Sequence, residues 1–102
     1  MTDKQTISWI FLATALATNT KPTDISGISS VADGINHAVP TQKELHSSIS
    51  WLTTKGLIIK QGKHYELTSK GKLAYESASK NTKTVMKIWE NIELNFNGYG
   101  DN

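Results

Sequence analysis

Cysteine and arginine are both absent from this chain of 102 residues. Without cysteine there can be no disulfide staple and no thiolate metal site, which fits a reducing compartment; the cytoplasm is the expectation. Without arginine, all eleven basic residues are lysine. Lysines are compact point charges that lack the planar fork used for bidentate recognition. Only two prolines occur, and there is no low-complexity tract or internal repeat, which separates the chain from disordered and repeat classes. No apolar run approaches the roughly 20 residues that cross a bilayer, so no membrane partner is expected. A hydrophobic fraction of 37% at this length describes one soluble globular domain with a single core.

What is present is unevenly charged. Residues 1–54 hold three lysines against four acids, whereas residues 55–87 hold eight lysines against Glu66 and Glu76. The last fifteen residues carry Glu90, Glu93 and Asp101 and no base. A block with an excess of six positive charges can meet phosphate; it also reads as a solvated face that keeps the protein soluble.

The N-terminal stretch Ile7-Ser8-Trp9-Ile10-Phe11-Leu12, with Lys4 before it and Ala15-Leu16-Ala17 after it, imitates a signal peptide. Asp3 offsets Lys4, and Ser8 and Thr14 interrupt the run, so a buried first helix over residues 6–18 is expected, with Thr6 as its cap. Pro22 stops it. A second helix should start at Thr23 and bury Ile25, Ile28, Ala32 and Ile35. Gly27 and Gly34 within it suggest a close helix–helix approach. The third helix opens at Thr41, with Glu44 completing a capping box, and buries Leu45, Ile49 and Leu52. Gly56 suits the left-handed position beyond its end, where Leu57 folds back onto Leu52.

Residues 57–60 and 64–67 alternate around Gly62 as a β-hairpin, with Leu57, Ile59, Tyr65 and Leu67 leaning on the helices. Thr68 caps a further helix running to about residue 80. Val85, Ile88, Trp89 and Ile92 form a sharper apolar stripe beyond Lys80-Asn81-Thr82, which is either a break or one helix's weakest turn. Residues 95–102 read as a flexible tail.

Glu44-Leu45, Leu52, Gly56-Leu57-Ile58, Tyr65 and the Leu67-Thr68-Ser69-Lys70-Gly71 step resemble the winged helix-turn-helix of bacterial regulators such as the MarR and PadR families, over about residues 23–75. The resemblance implies a mainly α fold with a small β-hairpin: a three-helix core, a wing and a C-terminal helix. It divides the chain into a winged helix-turn-helix domain (1–80), a helical extension (81–94) and the tail. It also implies a non-enzymatic, DNA-binding transcriptional regulator. Residues 41–55 become the recognition helix, presenting Thr41, Gln42, Lys43, His46, Ser47, Ser50, Thr54 and Lys55 to double-stranded DNA, with Lys60, Lys63 and His64 on the wing. The wing departs from the family: Gln61-Gly62-Lys63 lacks the Asp-x-Arg-like tip. Such regulators dimerise through terminal helices, which makes Val85, Ile88, Trp89 and Ile92 the expected homodimer interface; packing on the first helix is the alternative.

Other chemistry finds little footing. Asp33 and His37 are spaced for a carboxylate–imidazole pair or a helix cap but lack the further ligands of a metal site, and no catalytic triad or nucleotide-binding loop is visible. No catalytic residue, metal or cofactor is expected. The rival reading is a winged-helix adaptor that binds a protein partner through Trp51 and the C-terminal helix. A small-ligand sensor rests on family analogy alone.

Overall fold

A computed structural model describes residues 1–99. Its element order is α1 (Asp3–Ala17), α2 (Ile25–Asn36), α3 (Gln42–Thr54), β1 (Ile58–Gln61), β2 (His64–Leu67), α4 (Ser69–Ser79) and α5 (Val85–Asn97). Five helices and one antiparallel hairpin thus form a compact globule.

α1 begins earlier than its apolar pattern suggests. Thr2, not Thr6, is the cap: its hydroxyl accepts the Gln5 N–H, and the Gln5 side chain accepts the Thr2 N–H at 2.7 Å. Thr6 has no glutamine or glutamate three residues on and therefore cannot close such a box. The helix is buried almost all round, because α2, α3 and α5 all pack against it. Its polar interruptions are absorbed locally. Ser8 and Thr14 donate to the carbonyls of Lys4 and Ile10 one turn back, so neither hydroxyl is left unpaired in the core.

Asp24, not Thr23, caps α2, accepting the Gly27 N–H at 2.9 Å. Thr23 is committed elsewhere: its backbone exchanges two hydrogen bonds with Tyr65, at 3.1 and 2.7 Å, as an isolated bridge on the free edge of β2. Gly27 does mark a close approach, but to the Thr23 side chain at the start of its own helix; Gly34 faces open space. α2 ends at His37 in the left-handed region, φ 55°, where its N–H returns to the Asp33 carbonyl at 2.7 Å.

α3 has the expected reciprocal box between Thr41 and Glu44. Its end is a Schellman motif, with Gly56 at φ 74°, Gly56 N–H to Thr53 O at 3.0 Å and Leu57 N–H to Leu52 O at 2.9 Å. Leu57 therefore belongs to the helix ending, and the strand phase starts one residue later. Ile58 pairs with Leu67 and Lys60 with Tyr65. Ile58 is accordingly buried, and Ile59, expected in the core, is 42% exposed. Gly62, φ 64°, opens the two-residue loop that sets this register.

The hairpin's exit is fastened to its entrance. The Thr68 hydroxyl accepts the Gly71 N–H and donates to the Gly56 carbonyl at 2.6 Å, and its N–H donates to the Leu57 carbonyl. Lys80-Asn81-Thr82 lies in a break between two separate helices, and Asn91 donates to the Ala78 carbonyl to hold α5 against the end of α4.

At the C-terminus the single chain takes the alternative arrangement, packing on the first helix. Ile88, Trp89 and Ile92 are buried within the single chain, leaving only Val85 of the expected dimer stripe exposed, at 37%. Trp89 stacks on Trp9 of α1 at 6.2 Å and donates its indole N–H to the Gln5 carbonyl. A dimer through this stripe would have to peel α5 from α1. Nor does a loose tail begin at 95: Phe96 is 1% exposed, and Tyr99 packs on the core cluster. Residues 100–102 of that expected tail lie outside the described residues. Among the described residues no helix is long and apolar enough to cross a membrane.

Candidate nucleic-acid interface

The register of α3 sorts its side chains. Leu45, Ser48, Ile49 and Leu52 are buried. At about 3.6 residues per turn the opposite strip carries Lys43, Ser47, Ser50 and Thr54, all exposed. Gln42 and His46 lie to one side of this strip. His46 Nε2 is 3.1 Å from Gln42 Oε1, a contact that requires the Nε2-protonated ring. Thr41 is exposed, but its hydroxyl is occupied by the Glu44 N–H at 3.0 Å, so its role is to cap the helix.

Lys55 sits on the other flank. Its ammonium is 5.6 Å from the Trp51 ring centroid, and its carbonyl accepts Lys70 Nζ at 2.8 Å. Lys4 also approaches Trp51, at 5.5 Å, and Lys70 lies over Tyr99 at 5.1 Å. Three lysines from distant parts of the chain therefore gather around rings of α3 and the C-terminal turn. Phe96, 5.3 Å from Trp51, and Tyr99, 5.8 Å away, pack against the indole, which is partly buried at the boundary of the core.

The hairpin projects directly from the end of α3. Lys63 stands at its tip beside Gly62, His64 is exposed opposite Gln61, and Lys60 lies over the Tyr65 ring at 5.7 Å. The Thr23 bridge gives β2 a hydrogen-bonded neighbour on both edges, which holds a hairpin that would be marginal alone.

Of these charges, Lys43, Lys55, Lys60 and Lys63 have no carboxylate within ion-pair distance among the described residues; Lys87 and Glu90 form such a contact, at 3.9 Å, away from this surface on α5. The Glu44 carboxylate is turned back onto the Thr41 N–H. The expected site residues are thus accessible, with Thr41 and Lys55 partly engaged. Chemically the surface offers ammonium groups and hydroxyls, suited to phosphate oxygens.

Sequence reasoning missed two contributors. Ser26, Ser29 and Ser30 of α2, together with the Asp33 carboxylate, line a groove shared with Gln42, detectable only as the polar side of the Ile25/Ile28/Ala32/Ile35 pattern. Lys70 joins Lys55 through tertiary contact, for which the sequence carried no local signal. Among the described residues no three His, Cys, Asp or Glu side chains come together as a metal site. No protein-family model matches the chain, and no curated protein or solved structure is significantly similar to it.

Proposed function

We propose that this chain is a winged helix-turn-helix protein that binds duplex DNA and regulates transcription without catalysing a reaction. α3 is the recognition helix and enters the major groove by its Lys43/Ser47/Ser50/Thr54 strip. The β1–β2 hairpin is the wing, with Lys60 and Lys63 on the flanking phosphates. The observation that carries this reading is the set of exposed lysines, free of carboxylate partners, on a capped helix and the hairpin fixed to its end. Titrating the full chain onto a short duplex at low and moderate salt tests it. Phosphate contacts require affinity to fall steeply as salt rises. Absence of binding even at low ionic strength ends the reading.

A second reading, a protein-interaction adaptor, draws on the exposed apolar groove lined by Leu16, Val31, Ile35, Val85 and Met86. Trp51, partly buried against Phe96 and Tyr99, offers it less surface than this groove. Recovery of a stoichiometric protein partner by a chain indifferent to DNA would favour it.

A further inference from the structure

We infer that the duplex is held through its backbone and groove shape, so that the partner is double-stranded DNA of any sequence. This deepens the DNA-binding reading and rests on it. Base discrimination needs side chains that reach a base edge with two aligned hydrogen-bonding groups: arginine or lysine on guanine, asparagine or glutamine on adenine. The chain contains no arginine. Gln42, the α3 side chain with the right fork for adenine, has its carbonyl oxygen 3.1 Å from His46 Nε2, a contact it would have to break or share to turn toward a base. The strip facing away from the core otherwise carries Lys43, a flexible point charge without arginine's fixed fork that serves guanine or phosphate alike, and Ser47, Ser50 and Thr54, whose single hydroxyls accept or donate at any base. Lys60 lies over Tyr65 at 5.7 Å and Lys55 over Trp51 at 5.6 Å, so each holds its charge close to the protein surface, a placement that suits a phosphate better than a base edge deep in a groove. What the surface retains is unpaired positive charge, a sequence-independent attraction.

The test is equilibrium binding of the full chain to a panel of unrelated duplexes of equal length, with selection from a randomised duplex pool alongside. Affinities within about threefold of one another, no enriched motif, and a log-affinity slope near −3 to −4 against log salt, as about four lysine contacts give, are expected. Lys60→Gln with Lys63→Gln should lower binding to every duplex by a common factor. A duplex bound more than about tenfold tighter than the rest, the discrimination one good bidentate pair supplies, overturns this inference and leaves DNA binding standing. Failure to bind any duplex at low salt overturns the DNA-binding reading itself.

Discussion

Gly71 and Gly34 put the same residue type in opposite surroundings. A Cβ on Gly71 would run into the Leu57 carbonyl, which cannot move freely because it accepts the Thr68 N–H at 3.1 Å. Gly71→Ala should therefore cost about 1–3 kcal/mol, the range for forcing a group into a packed site. Gly34 lies inside α2 with nothing within 4 Å of the position a Cβ would take. There the substitution only removes backbone freedom from the unfolded chain, and Gly34→Ala should stabilise by up to about 1 kcal/mol. Urea denaturation of the two variants, with unchanged slopes, measures both; a shift of the same sign in each would contradict the packing described. The glycine of the Leu-Thr-x-x-Gly step is thus explained by contact with a carbonyl fourteen residues earlier, and not by its own backbone angles.

α3 was legible in the sequence because everything that defines it lies within seventeen residues, from Thr41 to Leu57. Cap, reciprocal glutamate, apolar spacing and terminal glycine all act on near neighbours. The start of α2 was not legible, since Thr23 and Asp24 are both good caps and the choice is made by Tyr65, forty-two residues further on. Likewise the α5 periodicity correctly marked a buried face but carried no information on which surface would cover it. α1 supplies that surface, and the Trp9 ring and Gln5 carbonyl that meet Trp89 lie some eighty residues away. The candidate interface was readable where it depends on the outward face of α3, and unreadable where Lys70 joins it across a tertiary contact. The two caps can be told apart directly. Asp24→Ala and Thr41→Ala should each cost about 1 kcal/mol in thermal or urea unfolding, and Thr23→Ala distinctly less, because its side chain caps nothing. A larger loss at Thr23 than at Asp24 would return the cap to the earlier residue.

On the scale of the whole molecule, α1 is the post around which the rest is assembled, and α5 completes its enclosure. Trp9, Phe11 and Leu12 are 1% exposed or less, and Trp89 and Phe96 lie directly against the first two. A division into a self-sufficient domain ending near residue 80 and a separable extension is hard to reconcile with this packing. Removing α5 would uncover those side chains while discarding the burial of Ile88, Trp89, Ile92 and Phe96. At about 1.5–3 kcal/mol for each large apolar side chain, the loss is comparable to the net stability of about 5–15 kcal/mol on which a small domain depends. A fragment of residues 1–80 should therefore show no cooperative transition. In the full chain, tryptophan fluorescence, which reports on the Trp9–Trp89 stack and on Trp51 against Phe96, and far-ultraviolet circular dichroism, which reports on the helices, should trace one coincident unfolding curve. A sharp transition in the fragment, or fluorescence that changes well before helicity in the full chain, would mean that α5 is a detachable layer. Ile88, Trp89 and Ile92 would then again be available to a partner.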